Sequence, residues 1–594
     1  ESAYVDFNPD HPQLIYAGCY QGEITEFDEA THEPRNVQAY TELPLALPSR
    51  EMRYHFNWNA PILVSRHDPN VIYHASQKLL KSSDGGRHWT EVSPDLTRPD
   101  DKTQGFGGGP ITNEGAGGEV YDTIYYVAES PKDRNVLWTG SDDGLLQVTR
   151  DGGKNWKKIA LHGLEDAQIN EIEVSPHDGA TVYVAATRYK YNDFAPYIFK
   201  TTDFGQTWAK IVNGIPEESW AHVVREDPVR KGLLYAGTET GVFVSFNSGQ
   251  SWQPLQLNLP LTPVTDLKVH EGDLLASTSG RAFWILDDLA PLRQAQGETN
   301  FTLLTPEPAI RTNLGRGGGL EGMPASSTVG KNPPAGAIID FILDKESPLT
   351  VEIHTASGEL IRKYSTEKGP DGAAPGLKVK AGHNRFTWDL RYEKPAVIPG
   401  VFLFGSVQGR RAIPGTYEVR VIRGSDVRTA KLEVREDARL KTNSATLDEQ
   451  DKLLTLVDRD LDEIHKSVLR LRKVREQIES TMTRAPDNQA VQKQGKELVA
   501  KLNEVEDAVI QKRTVDMQTV INFPVRLAHH YLYLHSAIDN ADTGLTEGAR
   551  QRYRDLSKKW AEYQSQLTRL LGADLQAFNE KVSEDKVPAV TVPK

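Results

Sequence analysis

Cysteine is nearly absent from this sequence, since Cys19 is the single cysteine among 594 residues. An intramolecular disulfide framework is therefore excluded. The sequence also lacks any apolar run of the ~18 residues that a membrane-spanning helix needs, and its start shows no signal-peptide pattern. Because the chain opens at Glu1 without a methionine, we expect a processed or incompletely represented product.

Basic residues are in the minority, with 69 Lys and Arg against 82 Asp and Glu and a net charge of −13. This balance argues against a nucleic-acid-binding surface. The glycine-rich segment 105–110 lacks the lysine and the strand-to-helix context of a phosphate loop. His529 and His530 have no second ligand pair at metal spacing. We therefore expect no nucleic-acid partner, no cofactor and no metal.

One eight-residue pattern occurs four times. It begins with Ser or Thr, has Asp or Asn at the third position and Gly at the fifth, and ends with Trp. The short polar side chains can cap backbone N–H groups in a tight turn, and glycine supplies a positive φ. We therefore predict a structural role for the acids Asp84, Asp151 and Asp203. The copies are Ser82–Trp89, Thr149–Trp156, Thr201–Trp208 and Ser245–Trp252.

This pattern resembles the Asp box, and residues 1–290 resemble the Asp-box (BNR-repeat) β-propellers, which include sialidases, two-propeller xyloglucanases and sortilin-type receptors. Segments 140–145, 237–242 and 283–288 are similar to a bacterial subfamily of long extracytoplasmic proteins named sortilin-like or glycosyl hydrolase. In that subfamily this region is the second half of a chain about twice as long. The resemblance thus implies a C-terminal half that works with a preceding propeller.

The fold class that we predict is mainly β, with a helical C-terminal part. Short alternating strands separated by turns indicate a propeller of about seven blades, six of them visible in the sequence. After residue 335, apolar and polar residues alternate again, which favours an Ig-like or fibronectin-like sandwich. From Thr446 the apolar residues are spaced three and four positions apart, which favours a helical bundle. Thr446 and Glu449 are the predicted capping box of its first helix. The predicted domains are 1–290 (propeller), 291–335 (Gly/Pro-rich linker), 336–438 (sandwich) and 445–585 (bundle).

The candidate site lies on the face opposite the repeated turns. If these turns join the third and fourth strands of each blade, the loops joining the second and third strands emerge at the other end. Those loops are rich in carboxylates and tyrosines. The candidate acid and base residues are Asp142, Asp143, Asp193 and Glu239. The candidate ligand-binding residues are Tyr189, Tyr191, Arg188, Arg281 and Thr238.

The leading hypothesis is an exported bacterial propeller protein that binds a glycan or a peptide at this face. Its partner would be its own N-terminal propeller half or another envelope protein. One alternative is a glycoside hydrolase, which needs two carboxyl groups ~5–9.5 Å apart. A second is a structural subunit of a cell-envelope assembly. The arginine triad of sialidases has only Arg188, Arg225 and Arg281 as candidates, and residues such as Asp143 and Glu239 are also ordinary turn formers.

Overall fold

The computed structural model divides into two compact units, Glu1–Arg293 and Gln294–Lys594. Most of the predicted 291–335 linker and the centre of the glycine-rich segment lie outside the described residues. The structure describes residues 4–106, 120–294, 297, 300–312, 330, 333–368, 376–403, 407–516, 518–584 and 589–592.

The first unit consists of antiparallel sheets in which each strand pairs with the next one along the chain. Among the described residues, sheets 1 to 5 have four strands and sheet 6 has three. Sheet 1 contains β1 (Val5–Asn8), β2 (His11–Gly18), β3 (Ile24–Asp28) and β4 (Glu33–Asn36). Sheet 2 contains β5 (Ile62–Val64), β6 (Ile72–Ala75), β7 (Leu79–Ser82) and β8 (Thr90–Glu91). Sheet 3 contains β9 (Ile124–Glu129), β10 (Leu137–Ser141), β11 (Leu146–Thr149) and β12 (Trp156–Ile159).

The later sheets continue the same order. Sheet 4 contains β13 (Gln168–Val174), β14 (Val182–Arg188), β15 (Asp193–Thr201) and β16 (Ala209–Lys210). Sheet 5 contains β17 (Ala221–Glu226), β18 (Leu234–Thr238), β19 (Gly241–Ser245) and β20 (Gln253–Pro254). Sheet 6 contains β21 (Val264–His270), β22 (Asp273–Thr278) and β23 (Phe283–Leu286), and the short helix α1 (Ala290–Gln294) follows it.

Apolar clusters fill the space between each sheet and the next. The side chains of Trp138 and Ile172, for example, share a cluster between sheets 3 and 4, and those of Tyr235 and Leu267 share one between sheets 5 and 6. Corresponding clusters join sheets 1 and 2, 2 and 3, and 4 and 5. The first strands of sheets 1, 3, 4, 5 and 6 contribute to the lining of one cavity. Sheets stacked face to face around a common cavity form a β-propeller.

The four repeated turns join the third and fourth strands of sheets 2 to 5, as predicted. In the first turn, Ser82 Oγ accepts a hydrogen bond from the Gly86 N–H (2.9 Å) and Asp84 Oδ1 accepts one from the His88 N–H (3.0 Å). The indole of Trp89 donates to the carbonyl of Val37, which follows sheet 1 (2.9 Å). The polar residues of the pattern thus close the turn, and its tryptophan connects one sheet to the preceding one.

The second unit begins with two sheets that enclose a single apolar cluster. Strands β24 (Thr302–Leu303) and β25 (Ala309–Arg311) fall within the predicted linker, so the described residues 300–312 belong to these two sheets instead. Phe301, Leu304 and Ala309 are buried there, while Ile310 is exposed. One sheet has the order β24 (Thr302–Leu303), β26 (Ala337–Leu343), β29 (Gly382–Trp388). The other has the order β25 (Ala309–Arg311), β31 (Asp426–Glu436), β30 (Gly415–Arg423), β27 (Thr350–Thr355), β28 (Leu360–Ser365).

Helices complete the second unit and share one apolar cluster. The first helix begins earlier than the predicted capping box, because Asn443 caps it through a bond from the Thr446 N–H (2.9 Å), while Glu449 pairs with Arg550. None of the described helices is long and apolar enough to cross a membrane. The helices are α2 (Ser444–Arg484), α3 (Gln489–Val509), α4 (Leu527–Ile538), α5 (Glu547–Arg569) and α6 (Leu575–Glu584).

Candidate ligand-binding site at the propeller mouth

The loops that join second and third strands emerge at one end of the first unit, which we call the mouth. A cavity of about 460 Å³ opens among the inner strands near this end. Its walls carry hydroxyl, amide and aromatic groups more than aliphatic ones. The lining residues used below are Tyr4, Asn59, Tyr125, Tyr126, Gln168, Asn170, Glu171, Thr187, Tyr189, His222 and Asp266.

Three aromatic side chains group at the rim of the cavity. The ring of Tyr189 stacks near Trp220, with centroids 6.3 Å apart and an interplanar angle of 23°. Phe194 lies on the same indole at 5.3 Å. Tyr189 is 40% exposed and Phe194 is 43% exposed. Exposed aromatic faces beside a concave polar cavity are a common feature of ligand-binding sites.

A histidine and a glutamate connect two strands of sheet 5 beside this aromatic group. His222 Nε2 lies 2.9 Å from Glu239 Oε2. His222 belongs to β17, and Glu239 follows β18 in the predicted mouth loop. Both side chains are partly exposed, at 21% and 30%. They therefore offer one hydrogen-bond acceptor and one imidazole ring to a ligand that rests on Tyr189.

Two carboxyl groups of the cavity lining, those of Glu171 and Asp266, share one guanidinium with Glu173. Arg225 donates to Glu171 (2.5 Å), Glu173 (3.2 Å) and Asp266 (2.9 Å). Burial opposes the charge on Arg225, but the three carboxylates outweigh burial and raise its pKa. Burial raises the pKa of Glu171, and Arg225 only partly offsets this. This excess of carboxyl groups disfavours an anionic ligand.

The predicted carboxylates Asp142 and Asp143 are buried, with 5% and 0% exposure. Asp142 accepts hydrogen bonds from the Thr123 N–H (2.9 Å), the Thr123 hydroxyl (2.8 Å) and Asn57 Nδ2 (3.2 Å). Asp143 accepts from the Arg98 N–H (2.6 Å). Burial, together with the charge of Asp143, raises the pKa of Asp142 to about 8. Asp142 therefore holds a proton at neutral pH, inside a loop that its own bonds stabilise.

A third carboxyl group adjoins this pair. Burial and the neighbouring Asp143 raise the pKa of Asp122 to about 6, against bonds from Thr103 and Gln104. Two carboxyl groups with raised pKa values in one place are typical both of catalytic sites and of buried structural networks.

Asp193 and Tyr191, two further predicted site residues, each contact polar groups of the protein. Asp193 accepts from the Tyr197 hydroxyl (2.6 Å) and pairs with Arg188 (3.4 Å). The hydroxyl of Tyr191, which is 38% exposed, lies 3.3 Å from that of Tyr121.

Two further predicted ligand contacts lie apart from the cavity lining. Thr238 is fully buried, and its hydroxyl accepts from Ser219 and donates to the Gly241 carbonyl, so it serves the turn rather than a ligand. Arg281 is exposed on sheet 6, where its carbonyl accepts from the indole of Trp284. Of the predicted ligand residues, Tyr189 is the one that contributes to the cavity.

Sequence reasoning missed the side chains that the inner strands contribute. Trp220 and His222 stand at the start of β17, and Asn170 lies on β13, so none of them belongs to a second-to-third strand loop. The sequence did carry a signal for these side chains, because polar or aromatic residues occupy alternate positions of the first strand of each sheet, as Gln168 and Asn170 do. Those positions face the propeller axis, where the packing between neighbouring sheets cannot cover them.

No group of three or more His, Cys, Asp or Glu side chains suited to a metal ion occurs in the part of the chain that the structure describes.

Neither a protein-family model nor a curated protein matches the sequence. Solved structures match at low identity. A GH74 xyloglucanase from Xanthomonas campestris is 14% identical with a TM-score of 0.36, over 72% of this chain and 72% of that chain. PorZ, a surface component of the type-IX secretion system of Porphyromonas gingivalis, is 14% identical with a TM-score of 0.35, over 71% and 58%. YCF48 bound to a D1 peptide is 14% identical with a TM-score of 0.31, over 48% and 77%. At these TM-scores the matches assign no role to any residue.

Proposed function

We propose that this chain is a binding protein and that its mouth takes a neutral glycan chain. The observation that carries this proposal is the pair of exposed rings of Tyr189 and Phe194, which pack on the half-buried indole of Trp220 beside a cavity lined by amides and hydroxyls. Flat sugar faces stack on such rings, and Asn170, Thr187 and Glu239 offer partners for sugar hydroxyls.

The charge of the cavity supports a neutral ligand over an acidic one. Arg225 is occupied by three carboxylates, and Arg188 by Asp193. Arg281 lies on sheet 6, apart from the cavity lining. These residues therefore do not assemble the arginine triad of a sialidase. A sugar that carries a carboxylate would find no arginine at the mouth to pair with, because Arg188 and Arg225 already pair with carboxylates of the protein.

The test measures whether the protein is retained on panels of neutral polysaccharides, of acidic polysaccharides and of peptides. We expect retention by a neutral glycan, and at least about tenfold weaker binding for Tyr189→Ala and Phe194→Ala, a loss of ~1.4 kcal/mol. Tyr533→Ala is the matched control, since Tyr533 is a 72% exposed aromatic of α4. Binding of peptides alone would move the proposal to a peptide ligand, and no binding on any panel would refute it.

Hydrolysis of a glycan is the second candidate function, favoured by the proton that Asp142 retains up to a pKa of about 8. A carboxyl group that is protonated at neutral pH has the property of a general acid. Its burial at 5% exposure weighs against direct contact with a substrate. Release of reducing ends that disappears in Asp142→Asn, while binding persists, would establish this function. Turnover that survives Asp142→Asn, Asp143→Asn, Asp193→Asn and Glu239→Gln would exclude these acids.

We further propose that the chain is an exported bacterial protein of the Asp-box, sortilin-like class, with the sandwich as an Ig-like spacer. The hydrogen bonds of the repeated turns support the first part, because Thr149, Thr201 and Ser245 reproduce the contact that Ser82 makes with the glycine N–H. Fractionation of cells that express the natural gene product would test the location. Recovery in the cytoplasm would contradict export.

A further inference from the structure

The loop that joins α3 to α4 leaves aliphatic side chains in solvent. Its described residues are 511–516 and 518–526, which we call the α3–α4 loop. Val515 is 69% exposed, Ile521 is 85% exposed and Val525 is 41% exposed. Large apolar side chains at this exposure, grouped on one short segment, mark an interaction surface. The helical bundle therefore leaves part of this loop free for a partner.

The base of the loop is fixed to the bundle. Gln511 and Thr514 are buried, at 4% and 3% exposure. Gln511 Nε2 donates to the Pro524 carbonyl (2.9 Å), which joins the two ends of the loop. Ile510 before the loop and Leu527 after it belong to the apolar cluster of the helices. The exposed side chains are therefore carried on a closed and anchored loop.

Hydrogen bonds also order the tip of the loop. The hydroxyl of Thr519 accepts bonds from the N–H groups of Val515 (3.0 Å) and Asp516 (3.1 Å). The Asp516 carboxylate accepts bonds from the N–H groups of Gln518 (3.0 Å) and Thr519 (2.9 Å). The tip thus meets the polar groups of its own turn, while Val515 and Ile521 remain exposed.

The charge of the loop is opposite to that of the chain. Residues 511–526 contain three basic residues and one acidic residue, whereas the whole chain has a net charge of −13. The basic residues are Lys512, Arg513 and Arg526. Lys512 pairs with Asp507 of α3 (2.8 Å). The two arginines therefore carry the positive charge that the loop can offer to a partner.

These arginines have no carboxylate partner among the described residues. The guanidinium of Arg513 lies 4.3 Å from the ring centroid of Phe523, and Arg526 Nε has no hydrogen-bond partner there. The positive region continues onto α5, where Arg552 acts on His530 of α4. Burial and the charge of Arg552 both lower the pKa of His530. An anionic partner would thus find cations that the protein has not already neutralised.

An aliphatic tip beside unpaired arginines fits the surface of an anionic lipid bilayer. The aliphatic side chains can enter the boundary between headgroups and acyl chains, while Arg513 and Arg526 stay at the level of the phosphates. Each basic side chain near such a surface adds attraction, which salt screens. A specific protein interface uses roughly 20–30 residues on each side, more than this loop contains. The loop therefore suits a lipid surface better than a protein partner.

We propose that the α3–α4 loop is a peripheral membrane contact for bilayers that contain anionic phospholipid. Val515 and Ile521 enter the bilayer surface, and Arg513 and Arg526 bind lipid phosphates. This inference is independent of the ligand of the mouth, because the loop belongs to the second unit and the mouth to the first.

The first test is co-sedimentation of the full chain with vesicles of phosphatidylcholine alone or mixed in equal parts with phosphatidylglycerol. We expect binding to the mixed vesicles that weakens as salt is added, and at least about tenfold weaker binding to phosphatidylcholine alone. Val515→Ser with Ile521→Ser should weaken binding to the mixed vesicles at least about tenfold.

Val427→Ser is the matched control, since Val427 is a 46% exposed aliphatic residue on β31. It should bind the mixed vesicles as the parent does. Equal binding by the double variant and the parent would overturn the proposal, and so would equal binding to the two kinds of vesicle. No binding to either kind would also refute it and would leave a protein as the occupant of the loop.

The second test reports the position of the tip and does not require a loss of binding. Ile521→Trp adds one indole to the ten tryptophans of the chain. We expect its added emission to move to shorter wavelength on the mixed vesicles and to be quenched by brominated acyl chains. Val427→Trp is the control and should show neither effect. Binding without quenching of the added indole at position 521 would place the membrane contact elsewhere and refute the proposal.

Discussion

Gly153 of the second repeated turn approaches Val92 so closely that a β-carbon on it would lie 2.4 Å from the Val92 carbonyl oxygen. Gly153 has φ +98°, and Val92 follows the preceding sheet. This glycine therefore sets the spacing between sheets 2 and 3. The indole of Trp156 donates to the same carbonyl (3.0 Å).

Gly153→Ala is expected to destabilise the first unit by about 1–3 kcal/mol more than Gly152→Ala, because the added methyl must displace backbone. Gly152 is the matched control, since it also has a positive φ but its nearest atom would be 3.6 Å away. Phe204 and Ser248 occupy its position in two other turns at φ +58° and +59°. Urea unfolding of both variants measures the difference, and equal midpoints would show that the close approach does not limit the packing.

The repeated turns and the strand order could be predicted from the sequence because their signals are local. A residue pattern within eight positions specifies each turn, and alternation within six or seven positions specifies a strand. The site could be predicted only in part, since Trp220 meets Tyr189 through the packing of sheets 4 and 5 rather than through sequence proximity. Burial of Asp142 likewise depends on Asn57 and Thr123, which are distant in sequence.

Two predictions for the second unit, the linker at residues 300–312 and the capping box of α2, were wrong because local sequence signals did not decide these structures. Strands β24 and β25 are only two and three residues long, too short to show a period. Asn443 and Thr446 are both acceptable helix caps, and the bond from the Thr446 N–H to Asn443 decides between them. Glu449 meets Arg550 of a helix about a hundred positions later, so it is not available to the cap.

The free energy of unfolding is expected to depend on pH through Asp142, which follows β10, and not through Asp151 of the second repeated turn. The pKa of Asp142 is about 8 in the folded protein and ~3.9 in an unfolded chain. Between these values the folded state holds a proton that the unfolded state has lost, so the free energy of unfolding decreases as pH rises, by up to ~1.4 kcal/mol per pH unit. Asp142→Asn removes this dependence and becomes relatively more stable from pH 5 to pH 8.

Asp151→Asn is the control for that titration. Hydrogen bonds from Asn155, first its side chain and then its backbone, hold the pKa of Asp151 at about 2. Asp151 is therefore ionised in both states across the same interval, and its replacement should add no slope between pH 5 and pH 8. Urea midpoints at pH 5, 6.5 and 8 provide the comparison. A constant difference between Asp142→Asn and the parent would refute a retained proton.

The second unit depends on a buried group of ions between its sandwich and its helices. Asp542 pairs with Arg311 (2.9 Å) and Arg411 (2.7 Å), and all three side chains are at most 6% exposed. Asp542→Ala leaves Arg311 with backbone carbonyls and Arg411 with Asp539 (3.0 Å), so one buried positive charge loses its carboxylate and the change should cost about 3–5 kcal/mol. Glu547→Ala is the control, because Glu547 pairs with Arg554 at an exposed surface and should cost less than about 1 kcal/mol. Similar losses for the two variants would contradict the role of this group.

Acid stability of the helical part is expected to depend on His465, which is fully buried on α2. Its Nδ1 lies 2.5 Å from the carbonyl of Ala396, and its Nε2 has no hydrogen-bond partner among the described residues. Burial lowers the pKa of His465, and the neighbouring His529 has a lowered pKa for the same reason. The folded state therefore keeps the ring neutral while the unfolded chain binds a proton below a pH of ~6.5, so the free energy of unfolding falls as the pH falls through that value.

His465→Asn retains a donor toward Ala396 and has no proton to gain. It should reduce the decline in the free energy of unfolding between pH 6.5 and 4.5, by up to ~1.4 kcal/mol per pH unit. His11→Asn provides the control, because His11 lies at an exposed position of β2 in the first unit and its replacement leaves the helical bundle untouched. Any fixed loss of packing in His465→Asn shifts the whole curve and does not alter its slope. An unchanged slope would therefore show that His465 is not the ring whose protonation destabilises the bundle.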